Sequence, residues 1–419
     1  MSTTQSVLLR PRPYAQHAGS FFLVALLPPP KTSPSLPPEL WAAIFNFVPA
    51  LHLWSLLTVC KLFKDITLPV LYARVTTADI NSLEKLVARL DFAEQRWDSI
   101  RRIPFSTPGR WIQMLDLSRI EYTGRARALH LDTLLVKLFP LVPFLAHLSM
   151  NPSFVLSRRA LDSLGQRPGA VNIRALEGVS YNPIGNSMEE SLLLQLQCFP
   201  NLEELELIGH GLDLTELDTI PELLTPEPFI PLILPSLRTL TIISVCSSPL
   251  LLAFLLSPLP SLRKLTITPY DDIPTSLSSR FIAAQGASLR SLLLFTPKTW
   301  PTRLHPSPDT LLSTSPSLRH LSLERPLPPR LVLPPGAPTH PLQILSVPRP
   351  DPEFWLVLER LLPRLPALRA VRARDVRWLR KGMGSGAQAA GVQGELREWR
   401  RRLLRRGIRV LDGDWNECE

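Results

Sequence analysis

A recurring apolar pattern of the form Leu-x-x-Leu-x-Leu constrains the fold of this chain more than any other feature. Successive copies begin 24 to 35 residues apart, and periods of about 20 to 50 residues are typical of repeat architectures. The pattern therefore predicts an array of similar units. Nine good copies begin at Ile112, Leu145, Leu202, Leu237, Leu262, Leu289, Leu318, Leu342 and Leu368, and a weaker copy begins at Ile173.

Prolines separate the apolar segments from one another. Because proline blocks the continuation of a helix, each unit is interpreted as an apolar helix, a proline stop and a short strand. The chain has 45 prolines against 18 glycines, and many stand just before a copy of the pattern. The lead-ins are Phe-Pro-Asn-Leu at 199–202, Leu-Pro-Ser-Leu at 234–237 and 259–262, Ser-Pro-Ser-Leu at 315–318 and Leu-Pro-Ala-Leu at 365–368.

The units resemble degenerate leucine-rich repeats, which predicts an α/β fold. A helix such as 250–256 and a short strand cannot bury their apolar sides alone, but stacked neighbours form a continuous core. We expect an irregular solenoid with parallel strands inside an arc and helices outside. An ordinary α/β domain with leucine-rich strands is the alternative. The asparagine typical of such repeats is replaced by His210, Val245, Tyr270, Pro297 and Pro326, which favours a less curved array.

Residues 36–65 predict a small helical module at the N-terminal side of the repeats. Pro37 and Pro38 suit a helix start, because their missing N–H groups would be unpaired there in any case. Pro49 ends this helix, and similar apolar spacing over 53–64 predicts a second one. The i, i+4, i+7 spacing that marks one face of the first helix is formed by Leu40, Ile44 and Phe47.

This module resembles the F-box, the adaptor-binding module of cullin-RING ubiquitin ligases, over residues 34–75. The match is carried by Leu-Pro-x-Glu-Leu from Leu36, by Ile-Phe at 44–45, and by Val-Cys-Lys at 59–61. Leu-His at 51–52 and the sequence at 68–72 depart from the family pattern, and a helical hairpin that caps the next domain is the alternative. The resemblance implies that a Skp-family adaptor, and through it a cullin, binds Leu36, Pro37, Leu40, Ile44, Phe45, Leu53, Leu56 and Val59.

With an F-box-like module followed by degenerate leucine-rich repeats, the chain resembles the F-box/leucine-rich-repeat-like proteins expanded in fungi. Their role implies that this chain is a non-catalytic substrate-recognition subunit of an SCF-type ubiquitin ligase, with an unknown protein target. The predicted organisation is a disordered leader (1–33), an F-box helical module (34–75), a helical linker (76–109), a leucine-rich-repeat-like solenoid (110–391), and a C-terminal capping helix and strand (392–419).

The residues that alternate with the inward-facing leucines of each strand are predicted to form a target-binding surface. Side chains alternate along a strand, so these neighbours point outward and form continuous files on the concave strand face. Their charge changes from acidic in the early repeats to basic in the last, although they could also be merely solvated positions. The residues predicted to contact the target are Glu204, Glu206, Lys264, His320, Arg372 and Arg374.

Positive charge is concentrated near the C-terminus. Residues 364–409 contain 14 lysines and arginines against three acids, a net charge of +11, while the whole chain has +10. A nucleic-acid-binding role for this segment is therefore the alternative function. The spacing of Leu396, Trp399 and Leu403 instead predicts a helix with its arginines in solvent, and the segment has few aromatic residues for base stacking.

No known catalytic or phosphate-binding motif is apparent, and the eight histidines lack metal-ligand spacing. We therefore expect neither enzymatic activity nor a cofactor. The four cysteines form no Cys-x-x-Cys pair, which favours a reducing compartment, cytoplasmic or nuclear. The apolar run at 21–27 is too short for a membrane span, and membrane binding is not expected.

Overall fold

The computed structural model describes residues 36–95, 107–181, 186–209, 231–245, 248–269, 276–298, 303–336, 338–378 and 391–417. The predicted disordered leader, residues 1–33, lies outside these ranges. The chain divides into two compact units, of which the first ends at Thr67 and the second begins at Leu68.

The described part of the first unit contains three helices: α1 (Pro38–Asn46), α2 (Ala50–Leu56) and α3 (Lys61–Ala73). The division between the units falls within α3. Pro37 and Pro49 occupy the N-cap positions of α1 and α2, so each proline directly precedes a helix. The rings of Trp41, Phe45 and Phe63 pack together with centroids 4.8 to 5.8 Å apart. This aromatic cluster forms part of the interior of the unit.

The second predicted helix is divided in the structure. The sequence predicts one helix through Cys60, whereas α2 ends at Leu56 and α3 begins at Lys61. The carbonyl of Cys60 accepts a hydrogen bond from the backbone N–H of Lys64 (3.0 Å), and its Sγ accepts one from Phe63 (3.4 Å). Cys60 therefore begins a new helix, a capping role that apolar spacing does not reveal.

The second unit contains a parallel sheet whose twelve described strands follow one another in chain order. The strands are β1 (Arg74–Thr76), β2 (Met114–Asp116), β3 (His147–Ser149), β4 (Ala175–Tyr181), β5 (Glu204–Gly209), β6 (Thr239–Ile243), β7 (Lys264–Ile267), β8 (Ser291–Leu294), β9 (His320–Ser322), β10 (Ile344–Val347), β11 (Ala370–Ala373) and β12 (Arg409–Leu411).

Helices connect most of these strands. They are α4 (Ile80–Gln95), α5 (Arg125–Leu141), α6 (Arg158–Gln166), α7 (Asn186–Gln197), α8 (Pro249–Leu256), α9 (Leu277–Gln285), α10 (Leu311–Thr314), α11 (Pro352–Leu361) and α12 (Gly391–Leu404). From α4 to α10 each helix packs on the next one in the chain. The apolar sides of the helices and strands form one continuous core.

The middle apolar residue of each repeated pattern takes the same position in the sheet. These residues pair in register from strand to strand, and all are buried. The predicted α/β fold with parallel strands is confirmed, while its interpretation as leucine-rich repeats stays a prediction. The row consists of Leu115, Leu148, Leu176, Leu205, Leu240, Leu265, Leu292, Leu321, Leu345 and Val371. It is continued by Val410 of β12, which lies outside the copies of the pattern.

The described part of the predicted linker, residues 76–109, belongs to the sheet unit. β1 pairs with β2 through Val75 and Leu115, and α4 packs on α5. The sequence did not reveal this strand because Val75 is its single apolar residue and no copy of the repeated pattern surrounds it. The side chains by which α4 enters the common core are Ile80, Leu83, Val87 and Leu90.

The C-terminal helix covers the last part of the core. α12 buries Leu396, Trp399 and Leu403, the residues whose spacing predicts its inner face. The Trp399 ring lies 5.3 Å from that of Trp355 in α11. Gly407 follows the helix with a φ of +71°, and β12 then pairs with β11, so the segment continues the sheet.

A buried threonine connects the ends of three neighbouring strands by hydrogen bonds. Thr268, which follows β7, accepts a hydrogen bond from the backbone N–H of Ser244 (3.1 Å) and donates one to the carbonyl of Phe295 (2.8 Å). Ser244 follows β6 and Phe295 follows β8. Because buried backbone groups need hydrogen-bond partners, this side chain stabilises the three strand ends.

Candidate functional site

The first unit exposes apolar side chains along α1, α2 and the start of α3. Phe47, just after α1, is 89% exposed, and Trp54 of α2 is 64% exposed. Large exposed apolar groups in such a small unit mark a surface for protein contact. We call this set the apolar helix surface; it consists of Leu36, Leu40, Ile44, Phe47, Leu51, Trp54, Val59 and Leu62.

The residues predicted to bind the adaptor divide into two groups. Phe45 and Leu53 are each only 3% exposed, so they support the interior of the unit. Leu56 is half-buried. The exposed members are Leu36, Pro37, Leu40, Ile44 and Val59.

Four exposed apolar residues were not among the predicted adaptor contacts: Phe47, Leu51, Trp54 and Leu62. Phe47 continues the i, i+4, i+7 face of α1, a signal that the sequence already carried. The outward position of Trp54 follows from the burial of its neighbour Leu53, because adjacent residues do not share one helical face.

In the second unit, residues alternating with the buried leucines line the opposite face of the sheet, which we call the open face. Parallel pairing aligns them into two rows. One row runs through Glu204, Thr239, Lys264, Ser291 and His320. The other contains Asp116, Ser149 and Glu177, then Glu206, Thr241, Thr266, Leu293, Ser322, Ser346 and Arg372. Of these, Ser322 and Ser346 are buried.

Carboxylates occupy the end of the open face formed by β2 to β5. Ser149 Oγ donates a hydrogen bond to Glu177 Oε2 (2.7 Å), and the backbone N–H of Gly178 donates to Glu206 Oε2 (3.1 Å). Gly178 lies at a bulge between β4 and β5. These neighbours orient the carboxylates without neutralising them. We call Asp116, Glu177, Glu204 and Glu206 the acidic end.

Lys264, His320 and Arg372 lie towards the other end of the open face. His320 Nε2 is 3.0 Å from Ser346 Oγ, and its ring packs edge-on against Trp415 at 6.1 Å. Burial lowers the pKa of His320 to about 4, assisted by the positive charges of Arg372 and Lys264. His320 is therefore neutral near pH 7, and the two flanking cations carry the positive charge.

Arg372 is held by the C-terminal turn. Its guanidinium lies 4.3 Å above the Trp415 ring and donates hydrogen bonds to the carbonyl oxygens of Asp412 and Gly413. Burial lowers the pKa of Arg372. Trp415 thus forms a wall at this end of the open face. Lys264, His320, Arg372 and Trp415 are called the aromatic–basic end.

Arg374 lies near Arg372, but its side chain is engaged by contacts within the unit. It forms an ion pair with Glu324 and donates hydrogen bonds to the carbonyl of Leu294 and to Ser322 Oγ, both at 3.0 Å. The structure thus brings Lys264, His320 and Arg372 towards one region and uses Arg374 as an internal connection. Sequence reasoning missed Glu324 and Trp415, because their contacts join distant parts of the chain.

Several arginines of the basic C-terminal segment have acidic partners. Arg377 pairs with Asp414 at 2.9 Å, and Glu398 pairs with both Arg401 and Arg402. These pairs lower the local positive charge available to phosphates. The nucleic-acid-binding alternative stays a prediction, and retention on nucleic acid at physiological salt would test it.

Within the described ranges, no group of three or more His, Cys, Asp or Glu residues could hold a metal ion. In the described part of the chain, no helix has both the length and the apolar character that crossing a membrane requires.

Residues 33–71 match the F-box domain family. The described part of this match contains α1, α2 and most of α3, and therefore the apolar helix surface. An F-box domain generally binds Skp-family adaptors, and its presence indicates a substrate adaptor of SCF-type ubiquitin ligases; such proteins are generally non-catalytic. No curated protein matches the chain.

Proposed function

We propose that this protein is the substrate-recognition subunit of an SCF-type cullin-RING ubiquitin ligase. The observation that carries the proposal is the apolar helix surface, which lies inside the F-box match at residues 33–71. In this assignment the first unit binds a Skp-family adaptor, and through it a cullin. The transfer of ubiquitin belongs to other subunits, so the chain itself has a binding role.

The second unit recognises the protein target. Its twelve-stranded parallel sheet presents aligned polar and charged side chains on the open face. Support for this assignment comes from Glu204 and Lys264, which stand exposed on β5 and β7. Charged residues at such positions provide specificity through electrostatic complementarity. As part of this proposal, we interpret the repeated strand units as degenerate leucine-rich repeats.

The adaptor assignment is tested by co-purification with a Skp-family adaptor. Ile44→Asp places a charge in the apolar helix surface, and burying it without a partner opposes complex formation. We expect this variant to lose adaptor binding while its melting temperature stays close to that of the parent. Leu129→Asp, at an exposed position of α5, is the matched control and should retain the adaptor. Undiminished adaptor recovery by Ile44→Asp would contradict the proposal.

A further inference from the structure

We infer that the open face binds an extended, bipolar segment of the target, with basic residues over the acidic end and an acidic residue over the aromatic–basic end. This inference rests on the proposed function and specifies its target class. It concerns the charge order and spacing within one peptide segment, which the F-box match does not address.

The acidic end has the chemistry to bind basic side chains. None of Asp116, Glu177, Glu204 and Glu206 forms an ion pair with a lysine, arginine or histidine in the described ranges. Hydrogen bonds from Ser149 and Gly178 fix two of the carboxylates. A lysine or arginine of the target would complete charge-assisted hydrogen bonds with oxygens already held in place.

The aromatic–basic end has different recognition chemistry. Lys264 lies exposed on β7, and Arg372 is fixed against Trp415. Trp and Arg are enriched among residues that dominate protein interfaces. A target carboxylate between the two cations would gain their attraction, while an adjoining apolar group would contact the indole. Because the two ends have opposite charge, a wholly basic or wholly acidic segment would be repelled by one of them.

The order of the strands sets the spacing between the charged target residues. A target carboxylate midway between Lys264 of β7 and Arg372 of β11 would lie over β9, four strand intervals from Glu206 of β5. Neighbouring strands are about 4.8 Å apart, so this separation is about 19 Å, and an extended peptide covers it in about six residues. The expected target segment therefore carries basic and acidic residues about six positions apart.

A random dodecapeptide library displayed on phage and selected on the full chain tests this rule. We expect enriched peptides to contain a basic pair and an acidic residue separated by about five to seven positions, the extended-strand spacing. The selection uses the protein without an adaptor. Its outcome therefore bears on peptide recognition alone, whereas co-purification separately tests the adaptor assignment.

Two variants test which end of the open face selects the basic and which the acidic residues of the peptide. The double substitution Glu204→Lys and Glu206→Lys should abolish the enrichment of basic residues, and Lys264→Glu should abolish that of acidic residues. Arg290→Glu, an exposed position just before β8, is the charge-matched control and should leave both preferences unchanged. Absence of an enriched charge order, or the same preferences in all variants, would overturn the inference.

Discussion

The guanidinium of Arg374, which follows β11, forms an ion pair with the carboxylate of Glu324, which follows β9. Arg374 also binds the carbonyl of Leu294 at the end of β8 and the hydroxyl of Ser322 in β9. One largely buried side chain therefore holds several neighbouring strand ends together. This arrangement assigns structural importance to an arginine that otherwise resembles a surface residue in the sequence.

Arg374→Ala is expected to destabilise the second unit strongly. Removing one partner of a buried ion pair leaves the other charge uncompensated, a loss of about 3 to 5 kcal/mol. The measurement is the free energy of unfolding in urea. Substitution of both partners, Arg374→Met with Glu324→Leu, removes both charges and should cost much less. Equal losses in the single and double variants would contradict a dominant role for the unpaired carboxylate.

Acidification is expected to lower stability through His320. Its folded-state pKa of about 4 lies below the ordinary value of 6.5, because burial and the flanking cations oppose protonation. The unfolded chain thus binds more protons between these values, and the free energy of unfolding falls as pH decreases from about 6.5 to about 4. Burial lowers the pKa of His340 in the same direction.

Comparing unfolding at pH 7 and pH 5 checks this expectation. His320→Gln should reduce the pH dependence, because it removes one of the groups that resists protonation in the folded state. His305→Gln, at an exposed position, controls for the substitution itself. An unchanged pH dependence in His320→Gln would refute the assigned contribution.

Truncation before Val392 is expected to cause aggregation. The deletion removes α12, and with it the Trp399 ring that packs on Trp355. It also removes β12 and exposes the edge of β11, and unpaired strand edges promote association. Size-exclusion chromatography and thermal melting measure the outcome. A chain that ends after Glu417 keeps α12, β12 and the turn that holds Arg372, and it should elute and melt like the full chain. A soluble, cooperatively melting chain truncated before Val392 would contradict the prediction.

Paired substitutions should separate the interior of the first unit from its partner surface. Phe45→Ala removes a buried ring that contacts Trp41 and Phe63, at a cost of about 3 to 5 kcal/mol in folding free energy. Trp54→Ala removes an exposed ring and should weaken adaptor binding at least about tenfold, within the range of interface hot spots. Circular dichroism and adaptor titration distinguish the effects. Normal adaptor binding by a folded Trp54→Ala variant would remove Trp54 from the proposed contact.

The sheet could be predicted because its information is local and repeated. In β6 to β9, for example, each Leu-x-x-Leu-x-Leu copy supplies the leucine that enters the common row. β1 could not be predicted in this way, because Val75 is its single apolar residue. At the open face, alternation identified Glu204 and Lys264 as outward positions. It did not identify Trp415 as a neighbour of His320, because 95 residues of chain separate the two rings.

The strictly consecutive order of the twelve strands has a consequence for synthesis of the protein. Each strand pairs with the strand that precedes it, so a newly made strand adds to an edge that is already present. The sheet is suited to grow in one direction as the chain leaves the ribosome, with each addition covering the previous edge. The residues of the F-box match leave the ribosome before any strand of that sheet. The adaptor can therefore bind while the sheet is still incomplete.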